Sequence, residues 1–365
     1  MATGLEENDV RHATGLVATD PFCLLAAGSR LHLLVSALEA SRARATCPSA
    51  ILHTPAELFR DAVPRRRALN DQIVALVRQL GFRAVEAGPW FPLGAVRALE
   101  RAGVRVRLAA APAFPGRALK TPREVACIVR SQRAAVAAMR AAIRCIREAD
   151  ISPSGLLKRA GRTLTSEFLK DLIELALLER RCSAEGTIVA VGPQGARPHE
   201  VGSGPLRAGV PVVIDIFPRD KQTGYWGDIT RTVVRGRASG EVRRMHRAVL
   251  AAQRLALSMV RPGARSRDVQ RAVERFFREA GFETRLSPPG QESGFIHGVG
   301  HGVGLDIHES PGLRNEPGRL SAGNVLTVEP GLYVPGLGGV RIEDTVLVTS
   351  SGHKILATFP KMLEV

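Results

Sequence analysis

The sequence predicts an α/β protein of two domains, a plain first domain at 1–118 and a second at 119–365 built from two similar halves. Three observations lead there. The chain has 365 residues, enough for two domains that each bury a sizeable core. A proline- and glycine-rich stretch, APAFPGRALKTP at 111–122, reads as the link between them. After it, one pattern occurs twice: a helix, a strand-like or glycine-rich segment, then two strands that each carry an acid. The acids are Asp215 and Asp228, thirteen positions apart, then Glu329 and Glu343, fourteen apart.

In the first domain, FCLLAA (22–27) and LHLLVSAL (31–38) are short apolar runs suited to strands. DQIVALVRQLGF (71–82) and GAVRALERAGV (94–104) have helical spacing, and each ends at a glycine. VRVRLA then returns to strand alternation. In the second domain, Glu124 to Asp150 is a long helix-compatible segment closed by Ile151-Ser152-Pro153. Thr165 is placed to cap SEFLKDLIELALLER, and GTIVAVG follows as an apolar strand. In the second copy Ser266 is placed to cap RDVQRAVERFFREAGF, and the glycine-histidine segment HGVGHGVGLDIHESP follows. The strand continuations DITRTVV and IEDTVLV share an acid start and a threonine-rich, β-branched run. Two halves facing each other across a shared centre are the expected result.

Composition narrows the function classes. Hydrophobic residues at 45% and charged residues at 24% are ordinary for a globular protein. The N-terminal stretch lacks the basic start and apolar core of a secretory signal, and no apolar run is long enough to span a bilayer. A cytoplasmic protein without a membrane partner is the expectation. Cys23, Cys47, Cys127, Cys145 and Cys182 are scattered, odd in number and never in CxxC spacing, so they read as reduced thiols. The net charge of +16 comes almost wholly from arginine spread along the chain. Its densest run, Arg65-Arg66-Arg67, reads as a solvated loop or helix start. With no zinc-finger spacing and no aromatic RNA-binding motif, no specific nucleic-acid partner is expected.

The chemistry lies in the acids and histidines. Asp215 ends the apolar run VPVVID, and Glu329 follows VLTV, so both belong at the ends of buried strands. A carboxylate there needs a cation or several donors. FPRDKQTGYWG reads as a hairpin connection that returns Asp228 beside Asp215. His301 lies among Gly298, Gly300, Gly302 and Gly304, which leave room for close backbone approach. A dinucleotide loop is the competing reading, but the spacing is not GxGxxG and no helix follows. By strand alternation Arg341 points with Glu343, either to orient a carboxylate, to hold substrate, or as a plain ion pair. The GxSxG elbow and the P-loop are absent, and His308-Glu309 does not complete HExxH. Four carboxylates and one imidazole form too anionic a cluster to bury without cations. Two divalent ions would neutralise it, and one nitrogen among oxygens favours Mn²⁺, or Co²⁺ or Zn²⁺, over a thiolate-type site.

At these residues the sequence resembles the pita-bread metallopeptidases, the family of aminopeptidase P, prolidase and methionine aminopeptidase. The likeness covers 119–365. The first domain resembles, less sharply, the creatinase-type domain that precedes the catalytic one in aminopeptidase P and prolidase. The resemblance implies that Asp215, Asp228, His301, Glu329 and Glu343 hold two metal ions, with Asp228 and Glu343 bridging. It also implies that His199 and His308 stabilise the substrate carbonyl, that Glu329 shuttles the proton of the attacking water, and that His297 lines the proline-side pocket. The implied activity is hydrolysis of an Xaa-Pro bond at the N-terminus of a peptide or in a dipeptide, by a homodimer. Non-catalytic binding proteins and a metal-free creatinase share the fold. Metal content separates them from the peptidases, and the retained ligand set favours the peptidases. Where the family reads Asp-x-Gly, this chain has Asp215-Ile216-Phe217-Pro218-Arg219 in a longer loop, a departure that concerns the substrate rim.

Overall fold

The computed structural model describes residues 2–3, 7–60, 68–109 and 114–365, so the Arg65-Arg66-Arg67 run lies outside the described residues. The chain divides into two units, Met1–Arg117 and Ala118–Val365.

In the first unit Cys23–Ala27 and Arg30–Leu34 form an antiparallel pair, and Ile51–His53 adds to it in parallel. Ala84–Ala87 and Arg105–Leu108 form a separate parallel pair. The expected strand 31–38 stops at Leu34. Ser36 leads instead into the helix Ala37–Thr46, whose alanine, glutamate and arginine residues favour a helix once the apolar run ends. The helices Leu69–Gln79 and Leu93–Arg101 lie where the spacing puts them. Each is followed by a glycine at positive φ, Gly81 and Gly103. Their buried faces, among them Ile73, Leu76 and Leu99, pack with Cys23, Leu25 and Leu34 into one core.

The second unit has mixed α/β architecture in two halves. Helix α1 (Pro122–Arg147) begins two residues before Glu124, because Thr121 and Glu124 form a capping box with proline at the first helical position. Helix α2 (Ser166–Leu178) is capped by Thr165, whose hydroxyl accepts from the Phe168 N–H at 3.2 Å. Strand β1 (Cys182–Ala184) stands apart from an antiparallel sheet of β2 (Ile188–Val191), β3 (Val212–Ile216) and β5 (Ile229–Val233). The connection from β3 to β5 is more than a hairpin loop. It contains β4 (Pro218–Asp220), which leaves the sheet to pair with β1. The buried Asp220 carboxylate turns the chain there, accepting the N–H groups of Gln222 and Thr223 and a bond from Arg130 Nε.

The second half repeats the plan with helices α3 (Gly240–Met259) and α4 (Ser266–Glu279). Its sheet runs in the order β7 (Glu309–Leu313), β6 (Gly300–Gly302), β8 (Val325–Val328), β11 (Asp344–Val348), β12 (His353–Ile355). A side hairpin joins β9 (Gly331–Val334) to β10 (Gly338–Arg341). Ser266 does not cap α4; Arg265 holds the cap position without a side-chain bond, and Ser266 is buried in the first turn. Each half thus has two helices, not one, and the first of the second pair, α3, carries the Ser239 cap. Each pair packs its apolar face on its own sheet: Met139, Ile146 and Ile173 against Val189 and Ile214, and Val249, Val273 and Phe277 against Leu326 and Val346.

Candidate metal centre

The acids lie at equivalent places in the two halves. Asp215 is the penultimate residue of β3 and Asp228 immediately precedes β5. Glu329 immediately follows β8 and Glu343 immediately precedes β11. Pairing within each sheet therefore brings the end of one strand beside the start of the next: Asp215 faces Thr230 in register, and Val328 faces Asp344. Crossed contacts then join the halves. Thr230 Oγ1 donates to Glu343 Oε2 at 2.7 Å, the Glu343 N–H donates to the Thr230 carbonyl at 3.1 Å, and Thr345 Oγ1 donates to the Asp228 carbonyl at 2.9 Å.

His301 completes the cluster from β6. Its Nε2 lies 3.5 Å from Asp228 Oδ2 and 3.2 Å from Glu329 Oε1. One ligand atom each from Asp228, His301 and Glu343 lie within 4.8 Å of one another. Gly300 makes this approach possible, since a Cβ there would lie 2.0 Å from the Thr327 carbonyl oxygen. Thr327 Oγ1 accepts the His301 N–H at 3.0 Å and donates to Glu329 Oε1 at 3.1 Å.

The electrostatics call for a cation. His301 Nδ1 sits 3.1 Å from the Gly302 carbonyl, which only accepts, so Nδ1 carries the proton. In the neutral ring Nε2 then presents a lone pair to two carboxylates. A second proton is disfavoured, because burial pushes the imidazole down to about 4. Burial and then neighbouring carboxylates push Asp228 and Glu343 well above the ordinary carboxylate range, and burial raises Glu329 to about 7. Asp215 Oδ1 and Asp228 Oδ1 are buried without a hydrogen-bond partner among the described residues. Orphaned anionic oxygens beside a fixed imidazole lone pair fit divalent metal ions.

Around this centre, Arg341 is buried at 3% exposure, so a plain surface ion pair does not describe it. Its guanidinium donates to Asp215 Oδ2 at 2.7 Å, to Thr230 Oγ1 at 3.2 Å and to the Tyr333 hydroxyl at 2.7 Å. That commits it to orienting Asp215 rather than presenting a free fork to substrate. Tyr333 passes the bond on to His297 Nε2 at 2.8 Å, while His297 Nδ1 donates to the Gly298 carbonyl at 2.7 Å. Both His297 nitrogens are engaged, and burial holds that ring neutral, down to about 3. His297 therefore has ring surface, not a free nitrogen, for a substrate. His308 is exposed, with its ring 4.2 Å from that of His301 at 82°. Desolvation by the protein packed against one face of the ring is the main cause that lowers it to about 4. His199 is exposed in a turn.

Four contributing residues had no forecast from sequence: Thr230, Thr327, Tyr333 and Gln132. The first two are legible in retrospect as polar positions alternating with the acids along β-branched strands. Gln132 sits on α1, 0% exposed, and clamps the Asp228 backbone on both sides. Its Nε2 donates to the Asp228 carbonyl, and its Oε1 accepts the Asp228 N–H, each at 2.7 Å.

Such a centre, set between two similar α/β halves, defines a pita-bread metallopeptidase. The chain belongs to metallopeptidase family M24, whose profile it matches over residues 126–350. It is 40% identical over 172 residues to a Xaa-Pro dipeptidase of Pyrococcus furiosus, a stretch covering 47% of this chain and 46% of that protein. The match thus spans about half the length of the curated relatives. In structure it is similar to the prolidase of Pyrococcus horikoshii, with TM-score 0.80 and 25% identity over 98% of this chain and 93% of that one. It also shares its fold with a Xaa-Pro dipeptidase from Bacillus anthracis, with TM-score 0.83 and 23% identity over 99% of this chain and 97% of the other. Among the described residues no helix is long and apolar enough to cross a membrane.

Proposed function

We propose that this chain is a two-metal peptidase that cleaves the bond between an N-terminal residue and a proline in second position. The observation that carries the reading is the convergence of His301 Nε2 with the carboxylates of Asp228 and Glu329, beside two buried carboxylate oxygens that have no hydrogen-bond partner among the described residues. Asp215, Asp228, His301, Glu329 and Glu343 are the proposed ligands. One imidazole among oxygen donors suits Mn²⁺, with Co²⁺ and Zn²⁺ as alternatives. When bound, such ions polarise a scissile carbonyl and acidify an attacking water.

The chain's own residues do the rest. Glu329, 16% exposed in its side chain against 1% for the whole of Glu343, is the open acid that takes and returns the water proton. Its position is held by Thr327. His308, exposed and neutral at ordinary pH, donates to the oxyanion that develops on the carbonyl, and His199 is the second candidate donor. Arg341 keeps Asp215 in place through the attack. No side-chain nucleophile is needed, because water supplies the oxygen.

His297 carries the proline preference. Phe295 lies 5.3 Å from it at 71° and Tyr333 5.4 Å at 59°, so the ring is fixed between aromatic neighbours. It offers a rigid flat wall to a pyrrolidine ring, whose nitrogen needs no acceptor because Xaa-Pro is a tertiary amide. The test is a peptide panel matched except for proline or alanine in second position, each with free and acetylated N-terminus, run with Mn²⁺, Co²⁺ and Zn²⁺. Faster turnover of free-amine Xaa-Pro peptides is expected. Equal rates for proline and alanine refute the specificity, and full activity after exhaustive chelation refutes the metal reading. Dipeptides against longer peptides in the same panel separate dipeptidase from aminopeptidase.

A further inference from the structure

His308 rides on the connection 303–308, which leads from the strand of His301 to β7. No rigid element contains this stretch, yet its one proposed function demands a defined position. Trp226 fixes its first part: the Trp226 N–H donates to the Gly304 carbonyl at 2.9 Å, and Nε1 donates to the Leu305 carbonyl at 3.0 Å. The second part, which carries His308, is fixed by its chain neighbour Glu309. The Glu309 carboxylate folds inward beneath Gly304, where a Cβ would lie 2.4 Å from Oε1. Oε2 accepts the Asp306 N–H at 3.4 Å. The same carboxylate pairs with Lys120 Nζ, in an ion pair whose side chains are 1% and 10% exposed.

Lys120 is itself held. Its N–H donates to the Gly323 carbonyl at 2.8 Å, and the next residue, Thr121, caps α1, the helix whose Gln132 clamps Asp228. One buried ammonium thus ties the 303–308 connection to the element that also braces the acid cluster. Withdrawing the ammonium takes an opposite charge away from an enclosed carboxylate, which favours its swing toward water. Because Glu309 follows His308 directly, that movement carries the His308 backbone with it.

We infer that Lys120 is a positioning residue: through Glu309 it holds His308 at its place against the His301 ring. This rests on the reading of His308 as the oxyanion donor, and it assigns that reading a control point far away in sequence.

The experiment uses the full chain, loaded with diamagnetic Zn²⁺ so that rings near the site stay visible, and labelled with ¹³C in histidine. The His308 ring signal is identified by its loss in His308→Gln. In Lys120→Met that signal is expected to shift while those of His32 and His53 stay put, and Lys120→Arg, which restores the charge, should return it. kcat should fall about 10-fold or more with KM little changed, the pattern of a lost transition-state contact. In a His308→Ala background Lys120→Met should cost nothing further. Should Lys120→Met not fold, Glu309→Gln keeps the shape of the pair without its charge and should move the His308 signal in the same direction. An unmoved His308 signal in the folded variants, or a full loss in kcat on top of His308→Ala, overturns the inference. If His308→Ala leaves kcat unchanged, the oxyanion reading falls, and the ring signal alone still decides whether Lys120 positions the histidine.

Discussion

Gln132→Met tests whether α1 braces the metal cluster through the backbone of Asp228. Methionine keeps the volume of a side chain that is 0% exposed, so no cavity confuses the result. Two bonds of 2.7 Å are lost. The Asp228 carbonyl keeps Thr345 Oγ1 at 2.9 Å, so its loss costs about 1 kcal/mol. The Asp228 N–H is left buried without that acceptor, which costs about 1–3 kcal/mol. Together the second unit should lose about 2–4 kcal/mol. Trp90, 81% exposed, lies in the first unit, so a Trp90→Phe background leaves Trp226 to report the second. Urea unfolding of the metal-free protein, followed by that fluorescence, should give a lower midpoint at unchanged slope. Thr345→Val alone should cost less, and the double variant more than the sum, because the carbonyl then loses both donors. A change below about 0.5 kcal/mol for Gln132→Met, or strict additivity with Thr345→Val, would refute the clamp.

Three further outcomes are expected. Asp215→Ala and Glu343→Ala should lose metal, measured by elemental analysis, while keeping far-ultraviolet circular dichroism; retention of both ions in either variant removes that residue from the ligand set. His308→Ala should retain metal and lower kcat by about 10²-fold, as for removal of one oxyanion donor; an unchanged kcat makes His308 structural. The third concerns metal-free stability against pH. His297 at about 3, and His301 and His308 at about 4, lie below the ordinary 6.5, so they add stability as pH rises toward 6.5. Glu329 at about 7 lies above the ordinary 4.5, and Glu343 and Asp228 are also raised, so these remove stability as pH rises. The two sets oppose each other below 6.5, and above it only the carboxyls continue. The Tm of chelated protein should therefore fall from pH 6.5 upward, and saturating Mn²⁺ should abolish the fall; a chelated protein whose Tm rises over that range contradicts the buried-acid account.

Much of the centre was legible because its chemistry is written in local, repeated form. An acid at the end of a β-branched run is costly anywhere, and four such acids at two matching separations leave few readings other than a shared cation site. Glycines around His301 announced close approach before any partner was known, and Gly300 against Thr327 is that approach. What sequence could not show was partnership across long separations. Gln132 looked like one polar residue on an alanine-rich helix, and its partner is 96 positions away. Strand alternation placed Arg341 with Glu343, but only the pairing of β9 with β10 puts the Tyr333 hydroxyl on its guanidinium. Helix α3 is hard to see in the sequence because its arginine-studded face masks the apolar stripe formed by Val242, Met245, Val249, Ala252 and Ala256. The connection after Asp215 contains a strand that depends on Asp220 meeting Arg130, again a distant pair.

The two halves also explain how an anionic cluster is tolerated while the protein folds. Each half contributes one acid at a strand end and one just before the next strand, so neither half alone gathers all four. The contacts that bring them together are polar and cross the divide: Thr230 to Glu343, Arg341 to Asp215, Thr345 to Asp228. Arg231, 1% exposed, adds a second tie beneath them, donating to the Glu343 carbonyl, to Asp344 Oδ1 at 2.8 Å and to the Phe359 carbonyl at 2.9 Å. The acids are thus fixed by their backbones and hydroxyl neighbours, which leaves Asp215 Oδ1 and Asp228 Oδ1 without a hydrogen-bond partner among the described residues. Repulsion among the carboxyls is carried by the fold, through raised proton affinity, until a cation replaces the proton. The frame holds the acids together whether or not they are satisfied, so under the proposed metal-binding function the cost of that confinement is offset when ions enter.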